Sequence, residues 1–541
     1  MIHHPALLPA TRTSVSPWWK NAVLYQVYPR SFQDTNGDGY GDLQGIHQRL
    51  DYLADLGIDI VWISPIYRSP QADNGYDISD YRDIDPLFGD LDAFDRLVAR
   101  AHELGMRVVM DLVVNHTSVE HPWFVESASS THSPRRDWYY WRDARPGMEP
   151  GSPGAEPNNW ESFFGGSAWQ FDPTSGQYYL HLFAREQPDL NWENPSMRQA
   201  VYAMMNWWMD RGVDGFRMDV ITLISKKVDE AGELPGVGGS AVSAGAAGPE
   251  GYSSPAPFCQ DGPRLDEFLA EMHKEVFDGR EGYLTVGESP GITPERDEYI
   301  TDPAHRELDM LFLFEHTDVD HGADGKWTVT PWRLTEMKRA MSAQQKAVEK
   351  AGWATLFFNN HDQPRSVSRW GDTSTDGLRI RSAKALALLM HMHRGTPYVY
   401  QGEELGMTNA GFTRLGQYRD LESINMYHQR VDEAEVSTDG EMLAGLAAMS
   451  RDNSRTPMQW DSTGYAGFTA EYAPTEPWIS VNPNKDTVNA HDEIRDPDSV
   501  YSFYKELIRL RHDNVLVSAG KWDLLDADDE QVYAFTRSLP A

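Results

Sequence analysis

The chain has 541 residues, beyond the size at which one hydrophobic core usually stops growing, so two or three domains are expected. Its formal net charge of −34 excludes nucleic acid and anionic membrane surfaces as partners, because both would repel it. No apolar run approaches the roughly 18 residues that span a bilayer, no secretory signal precedes Pro17, and the single Cys259 excludes an internal disulfide, so a cytoplasmic monomer or weak homo-oligomer is expected.

In chain order, residues 1–17 read as an N-terminal extension. Strands are expected at Ala22–Pro29, Asp59–Ile66 and Arg107–His116, interleaved with amphipathic helices at Asp42–Leu56 and Leu91–Leu104. From Thr117 to Pro188 the chain turns aromatic and rich in Gly and Pro, too long for an ordinary loop, and reads as a small domain inserted after the third strand. Helix Met197–Arg211 and strand Val213–Val220 follow. The Gly236–Pro263 segment, dominated by Gly, Ala, Ser and Pro, reads as a mobile loop or lid. Next come helix Arg264–Val276, strands Tyr283–Ser289 and Leu308–Phe314, helix Arg333–Lys350, strand Ala354–Asp362, helix Gly377–His393 and strand Thr396–Glu404. Ser499–Arg511 is the last helix. Eight strands alternating with helices close most naturally into a (β/α)₈ TIM barrel of the α/β class. The domains are therefore the barrel at 1–116 and 189–512, the insert at 117–188 and a partial C-terminal β domain at 513–541.

Polar residues stand at the carboxyl ends of these strands, where barrel enzymes build active sites. Strand three leads through Asp111 to Asn115 and His116, strand four through Arg217 to Asp219, strand five to Glu288, and strand seven to His361 and Asp362. A lone acid after a strand is more often a cap or turn former than a catalyst. Three acids, two histidines and an arginine converging on one mouth have no packing rationale. A retaining glycosidase needs one carboxylate as nucleophile and one carboxylic acid as proton donor, about 5–5.5 Å apart, and Asp219 and Glu288 suit those roles. Asp362 would hold sugar hydroxyls, and Arg217, on the same strand face as Asp219, would keep the nucleophile ionised.

The runs AVLYQVYPRSFQDTNGDGYGDL, DLVVNHTS, QPDLNW, GFRMDV, VGES, FFNNHDQPR, GEELGM and NSRTPMQWD resemble, in order and over nearly the whole chain, the α-amylase superfamily. Within glycoside hydrolase family 13 they are most similar to the oligo-1,6-glucosidase/α-glucosidase group. The resemblance implies Asp219 as nucleophile, Glu288 as acid/base and Asp362 as transition-state stabiliser. It implies Asp77 (in the run NGYD), His116, Gln187, Arg217, His361 and Arg455 as groups that bind the terminal glucose of a small α-glucoside. Val220, directly after the nucleophile, is similar to the residue found in enzymes that accept α-1,6 links. No organic cofactor is implied.

The stretch Asp34-Thr-Asn36-Gly-Asp38-Gly-Tyr40-Gly-Asp42 places oxygen donors at alternate positions, as in the first part of a Ca²⁺ loop. Its twelfth position is Gly45, so it is no EF-hand. An acidic turn capping the helix near Asp42 is one reading. The resemblance implies the other, a structural Ca²⁺ on Asp34, Asn36, Asp38, Asp42 and the Tyr40 carbonyl. Two activities share the scaffold and its acids. Sucrose isomerases carry an Arg-rich loop after HDQPR, where this chain has Ser366-Val-Ser-Arg369-Trp without paired arginines, and trehalose-6-phosphate hydrolases are close in pattern. Non-catalytic transporter subunits of similar fold need a membrane span, which this sequence lacks. Phe163 and Phe164 in SFFGGSAW either shape the sugar pocket or belong to the core of the insert.

Overall fold

The computed structural model describes residues 17–238 and 251–539. Residues 1–16 of the N-terminal extension and 239–250 of the glycine-rich Gly236–Pro263 segment lie outside the described residues. Eight parallel strands form the centre: β1 (Leu24–Val27), β2 (Ile60–Ile63), β3 (Arg107–Val113), β4 (Gly215–Asp219), β5 (Leu284–Glu288), β6 (Met310–Phe312), β7 (Thr355–Leu356) and β8 (Thr396–Tyr400). They pair in the order β6-β5-β4-β3-β2-β1-β8-β7. A parallel bridge from Leu311 to Ala354 joins β6 to the start of β7 and closes the expected barrel.

A helix follows each strand: α1 (Leu43–Leu56), α2 (Leu91–Glu103), α3 (Pro195–Asp210), α4 (Leu265–Met272), α5 (Pro294–Ile300), α6 (Leu334–Ala347), α7 (Asp376–Met392) and α8 (Val500–Asp513). Local chemistry sets their ends. The Asp42 carboxylate accepts the Gly45 amide at the start of α1, and Gly57, at φ +97°, stops it in a left-handed conformation that favours glycine. Between those ends Ile46, Leu50 and Leu53 repeat on one face and are buried against the barrel.

The strands read as continuous apolar runs because both of their faces are covered. Their inward face changes character along the barrel axis. Leu24, Ile60, Trp62, Val109, Leu284 and Val286 belong to one buried cluster within the ring. Period-two alternation then carries Val109 to Asp111, Gly215 to Arg217 and Asp219, and Val286 to Glu288. Cross-strand register sets Arg217 beside Asp111 on one side and Val286 on the other. An apolar floor thus gives way, one layer up, to a charged mouth.

Two further bodies flank that mouth. Residues 141–180 hold a three-stranded antiparallel sheet with Gln177–Leu180 in its centre, between Trp141–Arg142 and Trp169–Asp172. Its aromatic cluster of Trp160, Trp169 and Tyr178 also takes in Val220, Leu223 and Cys259, so the insert packs directly on the segment that follows β4. The long stretch between β8 and α8, for which sequence periodicity assigns no elements, is largely helical, with Leu421–Tyr427, Asp439–Met449 and Asp452–Arg455. Trp327, from a hairpin after β6, packs on Met442 and Leu446 there. Near the end of the chain an antiparallel hairpin pairs Lys521–Leu525 with Ala534–Ser538.

Candidate active site

A cavity at the carboxyl ends of the strands is lined by Asp73, Tyr76, His116, Phe164, Phe183, Asp219, Val220, Glu288, Asp362 and Arg451. Its chemistry centres on Arg217, which is 1% exposed. Nη1 donates to Asp111 Oδ1 and to Asp219 Oδ1, each at 2.7 Å, and Nη2 lies 2.8 Å from Glu288 Oε2. One guanidinium therefore orients both expected catalytic carboxylates. The Arg217 charge pulls Asp219 toward its ionised form, but that cation is shared by three carboxylates. Burial pushes the Asp219 carboxyl well above its usual range, the Arg217 charge opposes this, and the Glu288 and Asp111 charges add to the rise. Three carboxylates around one cation leave a net negative charge, which adds to the burial that raises both Asp111 and Asp219.

Val220 turns the chain out of β4 at φ +36° and ψ +40°, a left-handed conformation that is strained for a β-branched residue. The turn points the Val220 amide at Glu288, whose Oε2 accepts it at 3.0 Å. Both of these contacts of Glu288 fall on Oε2, and the residue lines the cavity.

Asp362 lines the same cavity. Its Oδ1 accepts from Arg455 at 2.9 Å and Arg451 at 3.1 Å, and Oδ2 lies 3.0 Å from His361 Nε2. Burial alone would raise this carboxyl, but His361, Arg451 and Arg455 outweigh it and hold it well below the usual range. His361 stacks on Tyr76 with the rings 7° apart, and its Nδ1 meets Gln26 at 2.8 Å. Burial pushes His116 down to about 4, which keeps the ring neutral near pH 7. Its Nε2 lies 3.1 Å from Gln187 Nε2, which also donates to Asp73 Oδ2 at 3.1 Å.

Of the residues expected to bind glucose, Arg217, His116, His361, Gln187, Val220 and Arg455 all stand in or directly behind this cavity. Asp77 does not line it. Its carboxylate accepts from Ser69 Oγ and from the Ala72 and Asp73 amides, folding the 69–77 loop. The acid that faces the cavity is Asp73, four residues earlier, and its buried Oδ1 accepts no hydrogen bond among the described residues. Burial pushes Asp73 up to about 7 against the pull of Arg451 and Arg455. Asp73, Tyr76, Phe183 and Arg451 are site residues that sequence reasoning missed. Tyr76 lies within the run NGYD and Asp73 immediately before it. The run NGYD, which holds Tyr76 and follows Asp73, is the signal that could have drawn attention to those two, and nothing comparable marks Phe183 or Arg451. Of the two adjacent phenylalanines, Phe164 takes the pocket role and Phe163 the packing role, the latter 5.5 Å from Phe183.

The 34–42 loop lies apart from the cavity. Asp34 accepts the Asn36, Gly37 and Gly39 amides, Asp38 the Tyr40 amide, and Asp42 those of Thr35 and Gly45. Among the described residues no group of three or more His, Cys, Asp or Glu side chains is gathered as a metal site. Asp34 Oδ1 and both Asp42 oxygens each accept two hydrogen bonds, so the lone pairs left over in the loop are on Asp34 Oδ2 and the Asp38 carboxylate, which each accept one per oxygen. No helix of the described residues is long and apolar enough to cross a membrane.

A (β/α)₈ barrel with an inserted sheet beside an acid-lined mouth is the architecture of a barrel glycosidase. Residues 26–520 match the alpha amylase catalytic domain family, and the chain belongs to it, as a glycoside hydrolase of family 13. It is 51% identical over 523 residues to the oligo-1,6-glucosidase of Parageobacillus thermoglucosidasius, covering 96% of this chain and 88% of that one. A crystal structure of Bacillus licheniformis trehalose-6-phosphate hydrolase superposes with a TM-score of 0.88 at 46% identity, covering 97% of this chain and 89% of the other. The isomaltulose synthase of Protaminobacter rubrum does so with a TM-score of 0.88 at 41% identity and the same coverage.

Proposed function

We propose that the protein is a retaining α-glucosidase that releases terminal glucose from short α-glucosides and accepts α-1,6 links of the isomaltose type. The observation that carries this reading is the Arg217 guanidinium shared by Asp219 and Glu288 at the base of a narrow cavity. Asp219 attacks the anomeric carbon while Glu288 protonates the departing glycosidic oxygen, giving a glucosyl ester on Asp219 and releasing the leaving sugar. Glu288 then takes a proton from water as that water attacks the same carbon, which frees glucose and restores both acids. A second sugar hydroxyl in place of water gives transglycosylation. Asp362, held ionised by His361, Arg451 and Arg455, supports the positive charge of the oxocarbenium-like transition state. Asp73 Oδ1 is positioned to accept a glucose hydroxyl.

Hydrolysis is favoured over isomerisation because both arginines after His361 are committed within the protein. Arg369 is paired in a bidentate manner with buried Asp320, and Arg365 donates to the carbonyls of Gln401 and Ser454. Calcium at the 34–42 loop belongs to the same proposal as a structural ion.

The test is glucose release from isomaltose, maltose, sucrose and trehalose-6-phosphate side by side, with the protein and its Asp219→Asn variant. Isomaltose is expected to be the best of the four, with turnover falling at least about a thousandfold in the variant. Preferred cleavage of maltose would overturn the linkage, and preferred cleavage of trehalose-6-phosphate the substrate class. Rearrangement of sucrose without glucose release would make the protein an isomerase.

A further inference from the structure

Arg30 stands in the turn Pro29–Ser31 that follows β1, outside the lining of the cavity. It is 6% exposed, and its guanidinium lies 5.0 Å from the Trp478 ring and 5.4 Å from the Tyr40 ring. Its carbonyl accepts the Gly41 amide at 2.8 Å, which ties the turn to the 34–42 loop. Nη1 donates to Asn74 Oδ1 at 2.6 Å, and Nη2 donates to Gln71 Oε1. A buried cation usually meets a carboxylate. Here both terminal nitrogens go to neutral amide side chains of one loop.

The two residues so gripped are the ones whose backbone is strained. Gln71, at φ +67°, and Asn74, at φ +50°, lie in the left-handed region that residues with a Cβ disfavour. Such conformations persist only where surrounding contacts over-determine them, and they gather at ligand sites. Asp73 lies between the two. From within the loop, Asp77 accepts the Ala72 amide at 2.9 Å and the Asp73 amide at 3.0 Å, and Gln71 Nε2 reaches Asp85 Oδ2 at 3.3 Å. Gln187 meets the Asp73 carboxylate itself. Arg30 is the group that holds both flanks of Asp73 at once, from a different part of the fold.

We propose that Arg30 is a positioning residue for glucose binding: its fork on Gln71 and Asn74 keeps the loop between them in the strained form that turns Asp73 into the cavity. The proposal rests on the reading of Asp73 as the acceptor of a glucose hydroxyl. Released from Arg30, the two left-handed residues relax toward ordinary backbone regions and the carboxylate they flank turns away. Binding of the terminal glucose then weakens although Asp219, Glu288 and Asp362 are untouched.

The experiment measures kcat/KM on para-nitrophenyl α-glucoside, whose aryl leaving group makes the readout independent of linkage, together with the inhibition constant of glucose. The variants are Arg30→Met, Asp73→Asn, the two combined, and the pair Gln71→Ala and Asn74→Ala, which removes the acceptors and keeps the Arg30 charge. Folding is followed by thermal melting. Arg30→Met and the alanine pair are each expected to lower kcat/KM about tenfold or more and to raise the glucose constant by a similar factor. With Asp73→Asn already present, Arg30→Met is expected to change either value by less than about twofold, because both substitutions act through one group. A folded Arg30→Met that matches wild type, or whose loss adds in full to that of Asp73→Asn, would overturn the proposal and leave the Asp73 reading intact. An Asp73→Asn variant that binds glucose and turns over as wild type does would overturn both. Should Arg30→Met not fold, the alanine pair combined with Asp73→Asn decides the question by the same comparison.

Discussion

Asp111 shows how one side chain can tune a site without reaching the substrate. It is wholly buried, takes one end of Arg217, and accepts from Tyr76 Oη at 3.0 Å and Trp62 Nε1 at 3.2 Å. Its charge competes with Asp219 and Glu288 for the same guanidinium, and Tyr76, His361 and Asp362 are the other titratable groups nearby. With Asp111→Asn, the Arg217 charge is divided between two acids rather than three. The Asp219 carboxyl then releases its proton more readily. A like charge close by raises an acid by about one unit or more, so the acidic limb of the kcat/KM–pH profile, which follows the nucleophile, should move to lower pH by about one unit. A limb that stays in place, with only the melting temperature changed, would reduce Asp111 to a packing role.

At the scale of elements, the sequence is most readable where periodicity dominates and least where loops cross. Each of the eight strands is present, yet the apolar runs overstate them. Arg107–His116 narrows to Arg107–Val113, and Ala354–Asp362 to Thr355–Leu356, because the polar residues at their ends leave the sheet to make the mouth. The acids at those ends are legible because a strand's alternation fixes their direction. Asp73 against Asp77 is not, since a loop's facing depends on φ at Gly75. Nor is Arg451, which comes from a short turn after Asp439–Met449, and whose partners Asp362, Asp420 and Asp73 are distant in sequence. The 34–42 loop is the element whose ion binding can be read most simply. If calcium binds there, an excess of about a hundredfold over Kd adds about 2.7 kcal/mol. The melting temperature should then rise by a few degrees with Ca²⁺, fall again with chelator, and cease to respond in Asp38→Asn. An unchanged melting curve would leave the loop as a helix cap alone.

Across the whole molecule, three kinds of packing meet at one place. The ring of strands supplies Asp219 and Glu288, loops of the inserted region supply Phe164 and Phe183, and the helical segment before α8 supplies Arg451 and Arg455. The ring itself is uneven. From β5 round to β1 each neighbouring pair of strands matches four residues. β7 matches only two, and one of its partners is Pro397, which has no N–H to give. On its other flank a lone Leu311–Ala354 bridge makes the closure. The barrel is in effect a stiff arc fastened by a single loose clasp. Thermal breathing should therefore open it at 354–356, where backbone amides are expected to exchange with solvent about tenfold or more faster than those of 107–113. Equal protection on both sides would show the clasp to be as firm as the arc. A clasp in that position has a directional effect: the nucleophile and acid/base ride together on the arc, so opening it would move the loop bearing His361 and Asp362 against them.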